Sequence, residues 1–218
     1  MNRCAKAEGG YSGRAAFPHE PRFCGKPPGH PDPCGDWFGP GIQLPTIRDS
    51  GRANLEVVTA NGFETPTWDN FPSKLLLVFT EVTEAEAAVR FAEPDQAEAR
   101  TDIDTLEEEL ADIAIRITGL LFGLAGEKWS NRGSRGFYAH PYQPIEALLR
   151  PIRDSLTDAA EAWRRDGRPD AIIALEIALA KTAGLASALG IDLPAEMEKK
   201  RIKNAGRPKL HGKARPEG

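Results

Sequence analysis

From Lys74 to Arg90 the chain sets an apolar residue at three- and four-residue steps: Leu75, Val78, Phe79, Val82, Ala85 and Val89. That period belongs to an amphipathic helix. Glu81 and Glu84, three residues apart, point the same way. They share a stripe with Leu77 and Ala88 that runs beside the apolar one, not opposite it. The stretch from Leu106 to Ile117 repeats the arrangement. Leu106, Leu110, Ile113 and Ile117 form its apolar stripe, and Glu109 and Asp112 run beside that. Packing two such seams together brings four carboxylates near one another. Like charges at close range cannot all stay ionised without a cation. Hard oxygen donors suit Mg²⁺, with Mn²⁺ as the alternative.

The rest of the chain reads as helices as well. Ser50 is a candidate N-cap for a helix to about Ala60, ended by Asn61-Gly62. The first acidic helix is expected from Asp69 or Pro72 to Phe91, with Pro94 beyond it. A polar loop over 93–101 follows. Asp104, with Glu107 as its capping-box partner, is expected to start the second acidic helix, which runs to about Leu124. So short a loop makes the two acidic helices antiparallel neighbours. Further helices are expected over about 144–165, bent at Pro151, over about 169–189, and from Pro194 to about Asn204. No strand alternation and no internal repeat occurs. The expected fold class is all-α.

Residues 1–49 differ in kind. Gly, Pro, Arg, His and Asp dominate without periodicity, so this segment is expected to be a flexible or irregular arm, and residues 1 to about 45 to be dispensable for folding. Cys4, Cys24, His30 and Cys34 are zinc-ligand types, but their spacing fits no standard finger. Trp37, Phe38 and Ile42 are candidates for packing onto the helical domain. Three cysteines are an odd number and argue against a disulfide framework. Net charge is -4, with both signs interspersed, so no specific nucleic-acid partner is expected. With no apolar run read as membrane-spanning and no signal core in the first thirty residues, the expected location is cytoplasmic.

Glu81-Val-Thr-Glu84 followed by Glu109-Leu-Ala-Asp112 resembles the paired E-x-x-E and E-x-x-D motif of the MazG-like all-α nucleoside triphosphate pyrophosphohydrolases. Lys74-Leu-Leu-Leu-Val78 and Glu108-Glu-Leu-Ala-Asp-Ile113 are similar to the surrounding words of that family. Gly190-Ile-Asp-Leu193 and the run from Lys200 through Asn204, Arg207 and His211 to Lys213 resemble its closing segment. The likeness spans about 50–125 and 170–213. It leaves out the arm, an insert at about 127–167 and the tail at 214–218.

By spacing alone the four carboxylates read more readily as a solvated helix face, because charged residues usually face water. With the order of both pairs and the closing segment, the resemblance implies a site in which Glu81, Glu84, Glu109 and Asp112 hold Mg²⁺. It implies hydrolysis of a nucleoside triphosphate to monophosphate and pyrophosphate, with Glu81 or Glu84 as general base. It also implies nucleotide contacts from Lys200, Asn204 and Arg207, with Lys203 as the alternative if the register slips, and with His211 and Lys213 further on. Pro208 and Gly212 would shape the turn there. A non-catalytic nucleotide-sensing or scaffold module on the same fold is the alternative.

Arg116, four after Asp112, reads either as an ion-pair partner of Asp112 or as a phosphate contact. Trp129, Phe137 and Tyr142 in the insert read as loop anchors or as base-stacking faces. The insert itself is expected outside the core or in an oligomer interface. The stretch 169–189 carries Ile172, Ile173, Leu175, Ile177, Ala178 and Leu185 around much of a helix, which must therefore be buried. A homodimer or dimer of dimers would bury it, unless the inserted helix takes the partner's place.

Overall fold

A computed structural model describes residues 44–90, 104–129 and 145–207. Among these there are six α-helices and no strand, so the all-α expectation holds at that level. They are α1 (Leu44–Ala60), α2 (Phe71–Arg90), α3 (Leu106–Ala125), α4 (Ile145–Arg164), α5 (Arg168–Ala188) and α6 (Leu193–Ala205). Cys4, Cys24, His30, Cys34, Trp37, Phe38, Ile42, the 93–101 loop, Phe137, Tyr142, Pro208, His211, Gly212, Lys213 and the tail at 214–218 lie outside the described residues.

Two helix starts differ from the sequence expectation. α1 begins at Leu44, six residues ahead of Ser50, so the irregular arm does not extend to residue 49. Pro45 stands in its first turn, where a fixed φ and a missing N–H cost nothing. Ser50 lies inside the helix, and its carbonyl accepts a hydrogen bond from Asn54 Nδ2 at 2.9 Å. α3 is capped by Thr105, not Asp104. The Thr105 hydroxyl accepts from the Glu108 N–H while the Glu108 carboxylate accepts from the Thr105 N–H. Asp104 is thereby left outside the cap with its carboxylate available for other work.

The helix around which the others gather is α3. It packs against α1, α2, α5 and α6, and from Leu110 to Leu121 it buries Leu110, Ala111, Ile113, Ala114, Ile117 and Leu121 on nearly every side. Ile113, Ile115, Ile117, Leu120 and Leu121 cannot share one face at 3.6 residues per turn, so such a helix needs neighbours all round. α1 reaches it closely at Gly51. A Cβ there would stand 2.3 Å from Thr118 Oγ1. Asn54 Nδ2 also donates to the Met197 carbonyl at 3.2 Å, tying α1 to α6.

α4 corrects the expectation for the insert. It lies in the core, packed on α2 and α5, with Leu148, Leu149, Ile152, Leu156 and Ala159 buried. α5 is long and apolar enough to cross a membrane by length and composition, contrary to the sequence reading. Two-thirds of that window (67%) is buried within the protein, so its apolar character is that of a core helix. The cover that a second copy was expected to give α5 comes from α3, α4 and α6 of the same chain. Ile173 on α5 and Leu189 just past its end are left exposed.

Candidate metal centre

α2 and α3 pack side by side. On α2, Leu75, Val78, Val82 and Ala85 face inward, and the adjoining stripe carries Glu81 with them into the interface. On α3, Leu110 and Ile113 do the same for Glu109 and Asp112. Glu81 and Glu109 are each 4% exposed, and Asp112 is half-buried. One carboxylate oxygen from each of the three lies within 4.8 Å of the others. Glu84, one turn beyond Glu81, is exposed at the rim and close enough to add its charge and a hydrogen bond to Glu81. Of the four predicted carboxylates, three converge and the fourth borders them.

Each acid is treated differently. Glu81 accepts an ion pair from Arg116 Nε across the helix interface. Arg116 thus takes neither the intrahelical partner nor the free phosphate-binding position considered from sequence. Burial pushes the Glu81 carboxyl up from 4.5 to about 7. Arg116 opposes that rise, and the Asp112 and Glu84 charges add to it. Glu109 is pushed further, to about 8, by burial first and then by the charges of Glu81, Asp112 and Glu84. Its Oε2 is buried without any hydrogen-bond partner. A buried carboxylate oxygen is costly to leave unpaired. Two other buried side-chain atoms among the described residues share that condition, Asn54 Oδ1 and Trp129 Nε1. Neither belongs to a group of acids.

The second cation at the cluster is Lys200. Asp192 caps α6, and the helix lies across α1 and α3. That course carries Lys200, 5% exposed, to the start of α3. Its Nζ sits 2.7 Å from Asp112 Oδ2 and 2.5 Å from Asp104 Oδ2. Burial alone would lower its pKa, but the hydrogen bonds and charges of the two aspartates outweigh burial and raise it. The same lysine contact holds the Asp104 carboxyl below its ordinary value.

Lys203 stands further from Asp104 and Glu108, at 3.7 and 3.9 Å. Asn204 is half-buried one turn past Lys200, and its carbonyl accepts from Asn61 Nδ2 at 2.8 Å. Arg207 is exposed beyond the end of α6. The cluster therefore includes one of the three basic or amide residues expected at the substrate. It also includes Asp104, which sequence reasoning had spent on a helix cap. The signal for the correct assignment was present, since Thr105-x-x-Glu108 is as good a capping box as Asp104-x-x-Glu107.

Trp129 is a loop anchor. It is buried edge-on against Phe122, with the Arg48 guanidinium 4.8 Å from its ring centroid, so its faces are not open to a base.

A single Mg²⁺ with oxygens at about 2.1 Å spans about 4.2 Å between opposite ligands, and Mn²⁺ takes the same octahedral oxygen donors. Three carboxylate oxygens within 4.8 Å, on a trio in which the Glu109 carboxylate also has an unpaired oxygen, fit such an ion after a small rotation of the side chains. The donor set is all hard oxygen, with neither thiolate nor imidazole. No family model, curated protein or solved structure matches the chain.

Proposed function

We propose that this protein is a Mg²⁺-dependent nucleoside triphosphate pyrophosphohydrolase, similar to the MazG-like all-α enzymes. It would convert a nucleoside triphosphate and water to the monophosphate and pyrophosphate. The observation that carries the reading is the buried, unpaired Glu109 oxygen among Glu81 and Asp112. Solvated surface acids do not desolvate themselves in this way. The order E-x-x-E then E-x-x-D, with the closing segment, supplies the choice of reaction.

Glu81, Glu109 and Asp112 would hold the ion, and Glu84 would complete the set from the rim. When bound, Mg²⁺ supplies charge neutralisation for phosphate oxygens and a lowered pKa for the attacking water. Glu81 or Glu84 would take the proton of that water. Lys200, Asn204 and Arg207, on and just past α6, would be the donors that hold the polyphosphate and stabilise charge on the leaving pyrophosphate. α4 and α5 complete the core within one chain, so a homodimer or dimer of dimers is not needed to bury α5. Light scattering at micromolar concentration reads the state directly.

The test is pyrophosphate release from a panel of ribo- and deoxyribonucleoside triphosphates with Mg²⁺, with EDTA as the control. Mg²⁺-dependent release from at least one nucleotide is expected. Nucleotide binding without release would move the assignment to a sensing or scaffold module.

A further inference from the structure

We infer that Lys200 is a tethered counter-cation that competes with a divalent ion for Asp112, and that Asp104 is the carboxylate which receives it when the ion binds. The inference rests on the metal set proposed above but not on any substrate.

Three observations carry it. First, the acids converge with a donor to spare: Glu109 Oε2 is buried without a partner, and one carboxylate oxygen each of Glu81, Glu109 and Asp112 lies within 4.8 Å of the others. Second, the Lys200 ammonium is shared between two carboxylates on opposite sides. It stands 2.7 Å from Asp112 Oδ2, inside the cluster, and 2.5 Å from Asp104 Oδ2, outside it. Third, Asp104 precedes the Thr105 cap of α3 and is more exposed than Asp112, so its position does not depend on the cluster. A divalent ion on Asp112 would lie within a few ångströms of the lysine nitrogen. Like charges repel strongly in a poorly hydrated pocket. The lysine keeps a full ion pair by remaining on Asp104 while it gives up Asp112. Removing one partner of a buried ion pair is costly only when no other partner is at hand. Asp104 provides that partner and lowers the cost of metal entry.

Lys200 is thus a positioning residue for the metal, and Asp104 acts through Lys200. The arrangement sets metal affinity from α6, the helix that also carries Asn204. The two substitutions therefore have opposite signs. Lys200→Met removes the competitor, and Asp104→Asn leaves the competitor with Asp112 alone.

The test is Mn²⁺ titration of the full chain, with free Mn²⁺ followed by electron paramagnetic resonance, for four proteins: parent, Lys200→Met, Asp104→Asn and the double variant. Lys200→Met is expected to tighten Mn²⁺ binding about tenfold or more, and Asp104→Asn to weaken it about tenfold. In the Lys200→Met background, Asp104→Asn is expected to change affinity by less than about twofold. Simple addition of charge effects through space would instead give the same factor in both backgrounds. That additive result, or shifts of the same sign, overturns the counter-cation role while leaving the metal site in place. A parent protein that binds no Mn²⁺ overturns both. Should Lys200→Met fail to fold, Asp104→Asn at the half-exposed position keeps the inference falsifiable: unchanged Mn²⁺ affinity in that variant overturns it.

Discussion

The α2–α3 and α4–α5 interfaces both bury polar side chains among leucines, but they dispose of them differently. Between α4 and α5, Lys181 Nζ donates to Ser155 Oγ at 2.8 Å and to the Pro151 carbonyl at 2.9 Å. Among the described residues, no buried side-chain nitrogen or oxygen on those two helices lacks a partner. Between α2 and α3, three acids converge, two with raised pKa values, and one Glu109 oxygen is buried with no hydrogen-bond partner. A satisfied polar set fixes packing at little cost. A set in which acids outnumber the cations paired with them, and one buried oxygen has no partner, costs stability in the folded protein. The contrast sets an interface whose buried polar groups are paired against one that keeps an unpaired buried acid.

The most direct way to break the comparison is to damage the structural interface. Leu149→Ala empties a fully buried position on α4. It should cost about 2–5 kcal/mol of stability. The Mg²⁺-induced rise in melting temperature should persist in the folded fraction. Loss of that rise in calorimetry would mean that the two interfaces are one energetic unit.

Next comes Glu109→Gln. It should abolish most Mg²⁺-dependent pyrophosphate release, by about 100-fold or more, and most of the Mg²⁺ thermal shift. The metal-free protein should be at least as stable as the parent at pH 9, where the parent must ionise this buried acid. Asp112→Asn and Glu84→Gln should also lose turnover. Glu107→Gln, on the exposed side of α3, should keep it. Equal activity in Glu109→Gln and Glu107→Gln would return the acids to a solvated-face reading.

A pH series sharpens the same contrast. Glu81 and Glu109 titrate at about 7 and about 8 in the folded protein, against 4.5 for the ordinary acid. Between pH 4.5 and 8 the folded state therefore holds more protons than the unfolded chain. By linkage, this contribution to metal-free stability is greatest below 4.5 and declines as pH rises through 8. Metal binding needs the ionised acids, so the Mg²⁺ thermal shift should grow over the same window. Melting curves at pH 5 to 9, with and without Mg²⁺, measure both. A flat metal-free profile would deny the buried acids their cost, and Glu109→Gln should flatten it in part.

The smallest effect belongs to the satisfied set. Ser155→Ala removes one of two acceptors from Lys181 and should cost about 1 kcal/mol, with Mg²⁺ response and turnover unchanged. A change in metal response would show that α4 and α5 feel the acidic site.

The sequence by itself determined the helices and the site's raw material. Three- and four-residue apolar steps marked α2 through α5 within a residue or two of their ends, because amphipathic period and Pro or Gly punctuation are local properties. The carboxylates at 81, 84, 109 and 112 were legible for the same reason, since residues three apart share a helix face whatever the fold. What only the tertiary structure decided is how those faces rotate against one another and which charge meets which. Helical period made α3 an amphipathic helix, but being the hub, enclosed by α1, α2, α5 and α6, depends on how the chain returns. The same holds for α4, which is core because it lies between α2 and α5. Arg116 meets Glu81 thirty-five positions away, and Lys200 meets Asp104 and Asp112 from the far end of the chain. Ion pairs across helices depend on crossing and register, which no local pattern carries. Burial decided the rest: it raised Glu109 and Glu81 and left Glu84 in water, because desolvation is set by the neighbours a side chain acquires on folding.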